Sequence, residues 1–217
     1  MVASVDGSTS IEGVSGPLGG PPDRAVYRLL RSLTDVVLVA AGTARTEHYK
    51  PALVYDEYVA ARRERGQSDA PRIAVVTRTL DLDWTLPLFR DASEQTIVIT
   101  TTDAPAAGLA AARETCDVIT VGQGSVDLAA ALSALTERGV RHVLAEGGPS
   151  LNGALAAAGL VDELCLTISP RLAGGDGKRI LAGPDLPGPV ELELLSLLEH
   201  DGFLLARYRT ARSSPLT

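Results

Sequence analysis

Short apolar runs alternate along the chain with longer stretches in which hydrophobic residues recur at helical spacing. The runs lie at 36–39, 73–76, 96–99, 118–121 and 142–145, and each is mostly β-branched without strict polar alternation. Strands covered on both faces read this way, so the pattern predicts an α/β fold with a mostly parallel central sheet flanked by helices. Between the runs, Asp23 is placed to cap a helix ending near Leu33. Thr102 or Asp103 is placed to cap another ending near Thr115, with Pro105 in its first turn. Asp127 starts a helix that Gly139 ends, and Pro149 opens one that Gly159 closes.

The last third reads differently. Residues 162–169 form a strand pattern, and the runs 191–198 and 203–209 flank His200, Asp201 and Gly202, where Asp-Gly is a strong hairpin signal. An antiparallel C-terminal hairpin on the mostly parallel sheet is therefore expected. The first run, 1–5, is short for a central strand, so either the chain begins mid-strand or further residues precede Met1. With no repeat, linker or step in composition, 1–217 reads as a single domain. Residues 52–67, carrying Tyr55, Tyr58 and Val59, are expected to pack as a helix rather than form a lid, and the basic run 62–65 to be a solvated helix end.

Composition narrows the classes. The 217 residues carry 20 Lys and Arg against 27 Asp and Glu, a net charge of −7, with 45% hydrophobic and 22% charged residues. That balance is globular, and the absence of a basic stripe argues against binding nucleic acid through its phosphates. No apolar run approaches the roughly 20 residues that span a bilayer. Without a signal peptide, and with Cys116 and Cys165 far apart, the chain reads as cytoplasmic with two reduced core thiols. His48, His142 and His200 have no metal-ligand spacing, and no metal site is expected.

Chemistry concentrates at the ends of the predicted strands. After the run 142–145 come Glu146, Gly147, Gly148, Pro149, Ser150, Leu151 and Asn152. Two glycines at a strand-to-helix turn let backbone approach a phosphate or pyrophosphate closely; the alternative is a plain turn with Pro149 at the first helical position. A second glycine turn, Gly122 to Gly124, lacks a third glycine and reads as a tight turn. Ala41, Gly42 and Thr43 follow another strand, where Thr43 is either a ligand contact or a helix cap. Thr77 and Arg78 follow a third, where Arg78 is either a phosphate contact or a solvated charge. Asp6, before Gly7, stands on a turn after the first strand.

Four blocks, in order, carry a resemblance: residues 1–7, then 30–32 leading to 35–43, then 73–77, and finally 146–152. Together they resemble the RibD C-terminal domain family, the reductase domain of bifunctional riboflavin-biosynthesis enzymes within the dihydrofolate reductase superfamily. The resemblance implies a dihydrofolate reductase-like fold and an NADPH-dependent reductase that converts the ribosyl group of a phosphoribosylamino-pyrimidine to ribityl. It implies NADPH contacts at Ala3, Thr43, Glu47, Thr77 and the stretch Gly147, Gly148, Pro149, Ser150, Leu151 and Asn152; Thr77 and Arg78 would discriminate NADPH from NADH through the 2′-phosphate. Arg31 is implied as a substrate contact on its phosphate and Glu146 as one on its pyrimidine ring. For proton management, Glu146 is the stronger candidate for orienting the substrate and Asp6 the weaker. Where bifunctional members carry Asp-Asp-Pro-x-Leu-Thr-x-Arg, this chain has Glu47, His48, Tyr49, Lys50 and Pro51. The zinc deaminase motifs of those members are absent from this sequence. Family members are often homodimers, and residues 164–169 and 191–209 are the candidate contact. Two other readings stand beside this one: a dihydropterin or dihydrofolate-type reductase, and a non-catalytic NADPH-binding regulator.

Overall fold

The computed structural model describes residues 1–211. In chain order the elements are β1 (Val2–Ser4), a 3-10 turn (Gly16–Leu18), α1 (Pro21–Leu33), β2 (Val36–Ala40), α2 (Ala41–Thr46), α3 (Asp56–Glu64), β3 (Arg72–Val76) and α4 (Pro87–Arg90). They continue with β4 (Ile97–Thr100), α5 (Ala106–Thr115), β5 (Asp117–Thr120), α6 (Leu128–Glu137), β6 (Val143–Gly147), α7 (Pro149–Ala157), β7 (Glu163–Ser169), β8 (Leu192–His200) and β9 (Phe203–Thr210). Contacts divide them into two compact units, residues 26–148 and residues 1–25 with the chain from Pro149 onward.

The unit 26–148 holds the five predicted parallel strands, in the order β5-β4-β3-β2-β6. Val36 to Val39, Ile73 to Val75 and Ile97 to Ile99 are essentially inaccessible, as expected of strands covered on both faces. Val37, Val39, Val75 and Val98 pack with Leu88 and Phe89 in one core cluster. From β2 the chain steps outward through β3, β4 and β5, then returns to place β6 on the other side of β2. The strand order therefore switches between β2 and β6, the point at which open α/β sheets bind ligands beyond their carboxyl ends.

Local signals behave unevenly here. Asp127 caps α6 as expected, its carboxylate accepting the Ala130 N–H at 3.0 Å, and Gly139 follows with φ +86°. Asp23 lies inside the first turn of α1, which begins two residues earlier at Pro21. Pro105 precedes α5, while Asp103 accepts the Gly124 N–H at 3.0 and 3.1 Å and so ties down the Gly122 to Gly124 turn. Within 52–67, only Asp56–Glu64 forms the helix α3, and the ring of Tyr55, just before it, has the Arg28 guanidinium 4.4 Å from its centre. The basic run at its end corrects the sequence reading: Arg62 is fully buried, because backbone carbonyls rather than water meet its guanidinium.

The other unit holds a four-stranded sheet in the order β1-β7-β9-β8. β1 runs parallel to β7 at the sheet edge, a place where three residues suffice. β8 and β9 form the predicted hairpin, with Asp201 at φ +51° and Gly202 at φ +77°, the backbone that Asp-Gly turns favour. The hairpin belongs to this second sheet, pairing with β7, and not to the parallel one. In α7, Gly153 lies so close to the Ala182 carbonyl that no Cβ fits.

Candidate active site

Within the unit 26–148, the switch between β2 and β6 brings together Arg31, Thr43, Glu146, Gly147 and Gly148 of the predicted site residues. The β2–β6 register runs Leu38 with Ala145, then Val39 with Gly147, so Glu146 is the extra residue of a bulge. A bulge re-aims the side chain it carries. The Glu146 carboxylate meets Arg31 in a two-pronged pair, with Oε1 accepting from Nε and Oε2 from Nη2, both at 2.7 Å. The Tyr49 hydroxyl donates to Oε2 at 2.6 Å and the Tyr27 hydroxyl at 3.4 Å. The Arg31 guanidinium lies 4.4 Å from the Tyr27 ring centre and 5.7 Å from that of Tyr49.

Burial sets the electrostatics. The Arg31 and Glu146 side chains are only 12% and 7% exposed. Burial alone would lower the Arg31 pKa, but the hydrogen bonds and charge of Glu146 outweigh it and raise it. Burial first, and then the Glu146 charge, hold both Tyr49 and Tyr27 far above the ordinary phenol range, so both keep their protons. Arg31 and Glu146 thus satisfy one another, with Tyr27 the solvent-facing member of the cluster at 39% exposure.

Beside them lies the glycine turn. Thr43 Oγ1 stands where a Cβ on Gly148 would be, so only glycine admits this approach; the Gly147–Gly148 peptide is cis. Gly42 opens on free space, with nothing within 4 Å of an added Cβ. Thr77 is buried and its hydroxyl accepts the Leu80 N–H at 3.1 Å, while Arg78 is exposed. Glu47 follows α2, its N–H bonded to the Thr43 carbonyl at 2.9 Å. At the end of β4 the buried Thr100 hydroxyl has no partner among the described residues.

In the other unit, Asp6 is a backbone staple. Its carboxylate accepts the Ser4 hydroxyl at 2.5 Å and the N–H groups of Ala173 and Gly174 at 3.1 and 2.7 Å. Ser4 first and then those amides bring its pKa down to about 2, so it is ionised at neutral pH. Ala3 is buried in β1, and Leu151 is buried in α7. Asn152 turns into its own unit, donating to the Ile180 carbonyl at 3.1 Å and contacting Met1 Sδ at 3.4 Å. In the first turn of α7, which Pro149 opens, Ser150 is exposed and Pro149 half-buried.

Tyr27, Tyr49 and Arg62 escaped the sequence reading. Tyr27 lies four residues before Arg31 on one helix, a spacing that places them side by side and was a usable signal. Tyr49 and Arg62 gave none, because their partners are distant in sequence.

Small residues in close approach at a strand-order switch, beside a buried ion pair, make the kind of site at which open α/β sheets bind small molecules. The family comparison is more specific: the model of the RibD C-terminal domain matches residues 1–202. The chain belongs to that family. It is 25% identical over 210 residues, 96% of this chain and 95% of the relative, to a 2,5-diamino-6-ribosylamino-4(3H)-pyrimidinone 5′-phosphate reductase of Archaeoglobus fulgidus. Among solved structures, a pyrimidine reductase-like protein of Corynebacterium diphtheriae superposes with a TM-score of 0.89 at 27% identity, covering 98% of this chain and 90% of that one. A dihydrofolate reductase of Enterococcus faecalis, solved with NADP(H), shares the fold at a TM-score of 0.51 and 14% identity, covering 96% and 92%. The fold is thus dihydrofolate reductase-like.

Proposed function

We propose that this protein is a reductase of riboflavin biosynthesis, acting on a phosphoribosylamino-pyrimidine with NADPH. The observation that carries the reading is the β2–β6 switch, where Gly148 closes on Thr43 beside the Arg31–Glu146 pair, in a chain of a family whose named relatives reduce such a pyrimidinone phosphate. NADPH would supply a hydride to C1′ of the sugar, whose bond to the ring oxygen opens as that oxygen takes a proton, turning ribosyl into ribityl. The residues present fit the cofactor: Gly42 leaves open space, Gly148 admits only backbone, and the Thr100 hydroxyl is buried without a partner among the described residues. Thr43, Thr77, Gly147 and Gly148 would hold it, with Arg78 on the 2′-phosphate.

Glu146 and Arg31 act as a unit in this reading. Their mutual pairing fixes the carboxylate that orients the acceptor, and it leaves Arg31 with Nη1 for a further contact while its charge is already balanced. Asp6, held ionised by the Ser4 hydroxyl and then by amides, is a poor proton donor and is assigned to positioning the turn after β1. We read 1–217 as a single reductase domain, a reading supported by a family match that runs through both units from residue 1 to 202.

A homodimer in the cytoplasm completes the proposal. Leu192, Leu194 and Leu197 pair with Thr210, Tyr208 and Ala206, alternate residues of β9, so all three leucines share one face. The register shift between Leu194 and Ser196 is what keeps Leu197 on that face. They are 41%, 50% and 54% exposed on an edge strand, an apolar surface that suits a second copy. Titration calorimetry tests the cofactor reading. NADPH is expected to bind about tenfold more tightly than NADH, with Arg78→Ala removing the preference, as one charge-assisted contact allows. A folded protein that binds neither nucleotide would overturn it.

A further inference from the structure

Arg62 takes no part in the proposed reaction, yet it is fully buried and no carboxylate lies within hydrogen-bonding distance of it among the described residues. A buried guanidinium carries a desolvation penalty that an aliphatic residue would avoid, so its partners need an explanation. Nη2 has no partner among the described residues, and all but one of the partners of the other nitrogens are carbonyls at the end of a helix, which the helix leaves unpaired. Arg62 Nη1 donates to the carbonyls of Arg31 at 3.3 Å, Ser32 at 3.1 Å and Thr34 at 2.7 Å, while its Nε donates to that of Ser68 at 2.7 Å. Arg65 Nη2 adds a bond to the Ser32 carbonyl at 2.9 Å and Gln67 Nε2 one to that of Leu33 at 3.1 Å. Four consecutive carbonyls at the end of α1, 31 to 34, are therefore held by side chains from 62–67. The positive charge also sits at the negative end of the α1 dipole.

The residue at the start of this clamp is Arg31, whose own side chain grips Glu146. We infer that Arg62 is a positioning residue, fixing the last turn of α1 and through it the angle at which the Arg31 guanidinium meets the Glu146 carboxylate. The inference rests on the reading of that pair as facing the acceptor. Because the link runs through Arg31, the effect of Arg62 is expected to disappear once the Arg31 grip is lost, which a purely structural role would not do.

The test is a kinetic double-mutant cycle with an independent spectroscopic arm. Arg62→Met is expected to lower kcat/KM by about 10-fold with unchanged NADPH affinity, and by less than about 2-fold in the Arg31→Lys background. Arg62→Lys, which keeps the cation at the helix end, is expected to recover part of the loss. If Arg62→Met does not fold, Arg65→Ala and Gln67→Ala loosen the same turn and are expected to show a smaller loss with the same dependence on Arg31. The Nε–Hε resonance of Arg31, identified by its absence in Arg31→Lys, is expected to move toward the free-guanidinium position in the Arg62 variants. Equal losses in both backgrounds, or an unmoved Arg31 resonance in a folded variant, would overturn the inference. A wild type that consumes no NADPH with the pyrimidine would refute the reading of the site, and the resonance would still decide the link.

Discussion

Glu146 has three jobs that pull on one another: it neutralises Arg31, accepts a hydrogen bond from the Tyr49 hydroxyl and, in the proposed reaction, faces the acceptor. A buried pair adds little net stability, but removing one member strands the other. Glu146→Gln is therefore expected to destabilise the fold by about 3 kcal/mol in urea unfolding and to cut turnover, while leaving NADPH affinity near wild type. An equal loss of turnover and cofactor affinity would remove Glu146 from the acceptor side. Asp6 gives a different signature. Its folded pKa of about 2 lies below the ordinary 3.8, so its contribution to stability is complete above about pH 4 and fades as pH falls toward 2. Melting curves of wild type and Asp6→Asn are expected to differ at neutral pH and converge toward pH 2; a gap that persists there would deny the linkage.

Among the elements, β8 exposes a strip of leucine on an edge, and a charge there attacks association without touching the core. Leu197→Glu is expected to convert a dimer to a monomer in sedimentation velocity, whereas a wild type that already sediments as a monomer would dismiss the interface. The strands of the parallel sheet were legible because doubly covered strands are written as unbroken β-branched runs, and the hairpin because Asp-Gly adopts positive φ twice. What stayed hidden depends on the third dimension. The Glu146 bulge is a mismatch between two strands, visible only when β6 lies against β2. A basic run such as 62–65 ordinarily faces water, and only the nearby end of α1 turns Arg62 inward. The placement of the hairpin in a second sheet likewise follows from its pairing with β7, a long-range choice that local pattern does not encode.

At the scale of the molecule, chain order does the decisive work. Stepping β2, β3, β4 and β5 outward and returning β6 to the far side of β2 brings the residues after two distant strands together, and the family match extends across the chain to residue 202. The glycines at 147 and 148 supply close approach, while the Arg31–Glu146 cluster supplies polarity, and neither requires a nucleophile. The central claim is the reaction itself, and it is measured by mixing the purified protein with NADPH and the phosphoribosylamino-pyrimidine, with dihydrofolate as the competing acceptor, and following NADPH consumption with mass analysis of the product. Consumption that depends on the pyrimidine, with a product heavier by two hydrogens, is expected. Consumption with dihydrofolate alone, or with neither acceptor, would contradict it.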